Sequence, residues 1–117
     1  MTKQIIGAQG EITIIRHNTK PEWAKDGAPV ERTDKGWIIS HSESGSHHIL
    51  TGGEVMERTK DVPAGMKVLY AILENPEALI QDAATPHGSY ALDPGFYEFR
   101  LAREFDPFAE QATRVAD

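Results

Sequence analysis

Apolar and polar residues alternate with a period of two in several short stretches, and turn formers separate those stretches. Residues 11–16, preceded by Gly7 and Gly10, read as a strand through Ile12 and Ile14. Residues 36–41 read as a second strand, and residues 47–51, ended by Gly52 and Gly53, read as its hairpin partner across the polar turn 42–46. Residues 54–58 alternate in the manner of an edge strand. Residues 66–74 form the longest apolar run; a short apolar run also suits a helix, but Val68, Tyr70 and Ile72 favour a strand, and Asn75 with Pro76 stops it. Residues 78–82 suggest another short strand. After the turn signal Asp93-Pro94-Gly95, Tyr97, Phe99 and Leu101 share one face, and Glu98, Arg100 and Ala102 share the other. Six or seven short strands between turns predict an all-β, mostly antiparallel small barrel or sandwich, with a short helix at most. The expected core includes Ile12, Ile14, Ile38, Leu69, Ala71, Phe99 and Leu101.

The breakers set the remaining organisation. Residues 17–36 hold Pro21, Gly27, Pro29 and many charges, and read as a long mobile loop with one helical turn at residues 22–25. Residues 106–117 read as a polar tail, helical or disordered. The chain of 117 residues is expected to form one domain over 1–117, with no internal repeat. Its hydrophobic share of 39% suits a small domain with a large surface fraction. The absence of cysteine excludes disulfides, thiolate zinc sites and a cysteine nucleophile, and is compatible with a cytoplasmic setting. No apolar run approaches the roughly 18 to 20 residues that span a bilayer, so no membrane association is expected. The N-terminus also lacks the apolar core of a signal peptide. A formal net charge of −6 argues against nucleic-acid binding through a basic patch. The plainest use of that charge is solubility; a second is an acidic face suited to a basic partner protein.

Candidate chemistry concentrates in residues 40–48, where His41, Glu43, His47 and His48 flank or sit on the expected hairpin. Imidazole and carboxylate groups near one turn can bind a metal or move protons near neutral pH. His41 and Glu43, two apart, point to one side if the strand continues that far. His47 and His48 are adjacent and point to opposite faces; His48 has parity with Leu50, and His47 with Ile49 and Thr51. His87, ahead of the last hairpin, is a fourth candidate, whereas His17 has no supporting pattern. One reading is a divalent metal held by His41, Glu43, His48 and His87, or an acid-base pair drawn from them, with His48 and His87 brought together. The alternative is a polar hairpin whose histidines cap turns or face solvent.

The spacing of His47, His48 and Glu54 loosely resembles the first motif of cupins, but here the two histidines are adjacent and the downstream motif is absent. There is no phosphate-binding glycine loop and no nucleophile elbow. Trp37 suits core packing within its apolar strand, whereas Trp23, in a charged segment, suits an exposed contact with a partner or a lid over the core.

Three segments carry a family resemblance. Residues 10–16 are similar to the opening "QGDVLI-R" strand of a family of small uncharacterised bacterial and phage proteins. Residues 40–49 resemble its "GHSETGHHHV" segment, and residues 91–107 its "L-PG-YRV-RQREYDP" segment. The resemblance implies occurrence on phages and mobile elements, and thus an accessory role, but no established activity. Ser46 stands where the family segment begins its histidine run. Near His87, where the family reads "HEEHAPI", Ala84 replaces the first histidine and Thr85-Pro86 the glutamates. Those losses weaken a catalytic metal site in this chain.

Two functional expectations follow. The first is a noncatalytic β-domain that binds another protein through loops and an acidic face. The second is a metal-dependent or acid-base enzyme centred on His41, Glu43, His48 and His87. The sequence specifies neither substrate nor oligomeric state.

Overall fold

The computed structural model describes residues 3–20, 27–41, 47–81 and 89–102. Those residues form eleven β-strands: β1 Lys3–Gln9, β2 Ile12–His17, β3 Gly27–Pro29, β4 Arg32–Thr33, β5 Gly36–Ser40, β6 His48–Leu50, β7 Glu54–Arg58, β8 Met66–Leu73, β9 Glu77–Gln81, β10 Tyr90–Leu92 and β11 Gly95–Ala102. A six-stranded sheet has the order β1-β2-β11-β8-β7-β3, and a five-stranded sheet the order β10-β9-β6-β5-β4. Every pairing is antiparallel. Among the described residues there is no helix, and therefore none long and apolar enough to cross a membrane. The architecture is of the sandwich type rather than a closed barrel.

The period of two in the sequence becomes the two faces of each sheet. On the six-stranded sheet, Ile12 and Ile14 of β2, Leu69, Ala71 and Leu73 of β8, and Tyr97, Phe99 and Leu101 of β11 face inward. The five-stranded sheet meets them with Ile39, Leu50, Leu79 and Leu92, making one continuous core. All seven core positions expected from the sequence are buried. Ile38, however, does not join that core. The pleat sends Trp37 and Ile39 to the core and Ile38 to the opposite face, where it pairs with Ile49, itself opposite Ile80.

The expected hairpin is present: Trp37 opposes Leu50, Ile38 opposes Ile49 and Ser40 opposes His48. Gly36 makes its entry; at φ +142° it lies so close to Leu50 that a Cβ would sit 2.1 Å from the Leu50 carbonyl oxygen. Three expectations need correction. Residues 17–36 are not one loop: β2 ends at His17, and β3 and β4 lie within the span. Gly27 and Pro29 are tolerated in β3 because that strand is short and lies at a sheet edge. Nor is β7 an edge strand; it lies between β8 and β3. Its edge-like charges belong to a strand whose outer neighbour pairs only with Met56, Glu57 and Arg58. Finally, β1 and β10 add strands where the sequence shows no clear alternation. The expected turn at residues 22–25 and the tail 106–117 lie outside the described residues.

Phe99 is fully buried at the centre of the core, on the strand flanked by β2 and β8. Phe99→Ala is expected to lower the unfolding free energy by about 3 to 5 kcal/mol through lost transfer energy and the cavity left behind. Urea denaturation followed by β-sheet circular dichroism measures it. A loss below about 1 kcal/mol would contradict the assigned face of β11.

Candidate functional site

The histidines of the β5–β6 hairpin separate into two environments. His48 opens β6 with the parity of Leu50, so its ring faces the six-stranded sheet. Its Nδ1 lies 2.8 Å from Gln9 Oε1, and Gln9 Nε2 donates to the Leu79 carbonyl at 2.8 Å. With the Gln9 oxygen accepting, His48 Nδ1–H is the donor. The three residues tie the end of β1 to β6 and β9 of the facing sheet. Gly10, in the β1–β2 turn at φ +56°, is where the ring packs; a Cβ there would stand 3.3 Å from His48 Cε1 and Nε2. Burial lowers the His48 pKa below the usual histidine value, and the Glu11 carboxylate partly opposes the shift.

His41 and His47 lie just beyond the two strands instead. Their rings meet edge to face with centroids 5.1 Å apart, and His41 Nε2 is 3.2 Å from Glu31 Oε2 in an exposed pair. Thus His41 and His48, two of the four residues expected to share a metal, hold separate partners. Glu43 and His87, the other two, lie outside the described residues, as does Trp23. Among the described residues no three histidine or carboxylate side chains come together in a way that could hold a metal ion. Glu54, considered for a cupin-like motif, lies beyond the other end of β6. There it borders a small cleft of about 240 Å³ with Glu74 and Glu77.

A second polar constellation lies on the outer face of the six-stranded sheet. Successive strands place Ile5, Ile15, Glu98, Tyr70 and Met56 in one row across that face. Glu98 is 1% exposed and His17 7% exposed, and His17 Nε2 lies 2.8 Å from Glu98 Oε1. Arg100 Nε donates to the other carboxylate oxygen of Glu98. Glu98 therefore bonds cationic or polar partners through both oxygens, which its burial requires. Burial pushes the neighbouring Tyr70 phenol far above its ordinary pKa, although Arg58 pulls it back. His17 carried no recognisable motif. The usable signal was parity: His17 shares a face with Thr13 and Ile15, and Glu98 occupies the polar face of β11.

This outer face is closed at one side and open at the other. Toward β7 it is covered: Val68 and Tyr70 are buried, with Met56 and Val62 packed against them. Toward β1 it opens into a groove of about 720 Å³. Ile5, Ile15 and Met66 supply apolar lining, and Lys3, Glu11 and Arg100 supply charges. Ile5 is 69% exposed, the one large apolar side chain so exposed among the described residues.

The chain belongs to a protein family whose model, described as a domain of unknown function (DUF8820), matches residues 8–102. That span starts near the end of β1 and runs to the last residue of β11. No curated protein and no solved structure matches the chain.

Two predictions follow from these environments. Glu98→Ala leaves His17 and Arg100 without their shared carboxylate and is expected to lower the unfolding free energy by about 3 to 5 kcal/mol. Denaturant titration measures it, and a loss under about 1 kcal/mol would mean the pair contributes no more than a surface ion pair. For His48, a lowered folded-state pKa means that the unfolded chain binds more protons in the window just below the unfolded value near 6.5. Stability from this group is therefore complete above that value and falls as pH drops towards the folded pKa. Melting curves from pH 7.5 to 5 are expected to show His48→Gln losing less stability than the parent chain; identical slopes would refute the assignment.

Proposed function

We propose that this domain is a noncatalytic protein-interaction module acting in the cytoplasm, an accessory protein of phage or mobile-element type. The observation that carries the reading is the open groove beside β1, with Ile5 projecting into solvent above an apolar floor. An exposed aliphatic side chain beside a groove of mixed apolar and charged lining suits a protein contact. The use of His48 as a tie between sheets, and of His41 in a pair with Glu31, gives both histidines roles that need no chemistry. The accessory role is supported by the resemblance of residues 40–49 and 91–107 to the phage and bacterial segments.

The test compares parent, Ile5→Asp and His41→Ala/His48→Gln chains as baits in the native host, with metal content measured on each bait purified without a histidine tag. A specific partner retained by the parent and the histidine variant, but lost from Ile5→Asp, is the expected outcome. Stoichiometric metal in the parent that disappears in the histidine variant, with no Ile5-dependent partner, would favour the enzyme reading.

A further inference from the structure

β11 delivers the chain to the open groove of the outer face. Leu101 and Ala102, the last two residues of β11, line it with Ile5, Thr13, Ile15 and Met66. Ala102 opposes Met66 of β8 and follows Glu98 and Arg100 on the outer face by the period of two. The chain therefore runs on from the groove's own edge into residues 103–117, which lie outside the described residues. In that segment the large apolar side chains are Phe105, Phe108 and Val115, and both phenylalanines fall within six positions of Ala102.

Charge does not choose what fills the groove. Arg100 is held by buried Glu98, and of the other charges lining the groove Lys3 is a cation and Glu11 an anion. What stays open to water is apolar: Ile5 is 69% exposed, beside Ile15. Reach decides the rest. Arg100 opposes Thr13, and Glu98 opposes Ile15, which opposes Ile5. With strands about 4.8 Å apart and about 3.3 Å per residue, Thr13 lies roughly 8 Å from Ala102, and Ile5 roughly 16 Å. Extended chain covers roughly 10 Å from Ala102 to Phe105 and roughly 20 Å to Phe108. Pro107 disfavours helical geometry at Asp106, which suits an extended path. A segment tethered so near acts at an effective concentration on the order of millimolar, so contacts too weak to hold a separate molecule suffice.

We propose that residues 103–108 of this chain cross the outer face and seat in the groove, with Phe105 against Thr13 and Phe108 against Ile5 and Ile15. The segment lies over side chains and adds no strand, so the outer backbone groups of residues 3–5 stay open to solvent. The seat occupies the same surface that the interaction-module reading assigns to a partner. Resting on that reading, the segment is a competitor built into the chain, and a partner docks by displacing the two rings.

The test is methyl nuclear magnetic resonance on the full chain and on its Phe105→Ala/Phe108→Ala variant, which leaves every described strand intact. In the parent chain, the Phe108 ring is expected to show nuclear Overhauser contacts to the Ile5 and Ile15 methyls, and the Phe105 ring to the Thr13 methyl. Loss of the ring currents in the variant is expected to move those methyls, while the core methyls of Leu69 and Leu101 stay in place. A peptide of residues 103–117, added separately, is expected to shift the same methyls of the variant. It is expected to bind the parent about tenfold more weakly, because the parent's own segment already fills the groove. Identical Ile5 and Ile15 methyl positions in the two chains, or ring contacts to another surface, would overturn the inference. So would contacts that fade on dilution as a dimer dissociates, which would assign the seat to the segment of a second copy. Capture from the host separates this inference from the reading beneath it. Absent ring contacts with an Ile5-dependent partner still captured overturn the seat alone. Ring contacts together with greater capture of that partner by the variant support the competition; ring contacts with no Ile5-dependent partner on either chain overturn the module reading and leave the seat standing.

Discussion

The pleat of β11 is the constraint on which the rest of the molecule depends. One register sends Tyr97, Phe99 and Leu101 into the core and Glu98 and Arg100 to the opposite face. A one-residue slip would bury a carboxylate and a guanidinium among aliphatic side chains and strip the core of two rings, so the register is tightly specified. β2 and β8 flank β11 and pair with it along most of its length, so their inward and outward sets follow from the same choice. Fully burying a large apolar side chain contributes about 1.5 to 3 kcal/mol, and this strand contributes three such residues.

The outer face inherits its character from that register. Glu98 is buried on a face that would ordinarily be wet, and its two oxygens engage His17 and Arg100. Such a cluster adds little net stability compared with a well-packed apolar substitute, because desolvation offsets attraction. Its structural consequence is orientation: the carboxylate fixes Arg100 at the border of the open groove. The closed half of the face, around Val68 and Tyr70, and the open half, around Ile5, thus belong to one continuous surface. The histidine hairpin contributes differently. His48 and Gln9 tie β1 to the facing sheet, which holds the base of the edge strand whose first half stays exposed.

Much of the fold was legible because alternation survives wherever one strand face is buried. The strands expected at residues 11–16, 36–41 and 66–74 and the strand after Gly95, the pairing of the hairpin and every expected core residue follow from that rule; the register of the hairpin, with Ile38 rather than Ile39 opposite Ile49 and a bulge before Ser40, does not. What escaped lacked the signal. β1 has Gly7 and a register shift where alternation would continue, and β3, β4 and β10 are too short to show a period. The site was less legible. Three histidines crowded within residues 41–48 draw attention, yet sequence proximity does not make them converge: adjacent strand positions point apart, and His48 turns inward while His41 meets Glu31. His17 and Glu98, by contrast, are 81 positions apart and meet only through the β2–β11 pairing. Exposure of Ile5 is equally invisible in a sequence, since it depends on β1 being an edge.

The proposed interaction surface is the open side of the six-stranded sheet. Hydrogen–deuterium exchange of the full chain, alone and with a protein captured from the host through Ile5, tests this most directly. The account predicts new protection in residues 3–5 and 13–15, with residues 37–41 and 47–50 unchanged. Protection concentrated in the hairpin, with residues 3–5 exchanging as freely as in the unbound chain, would contradict it.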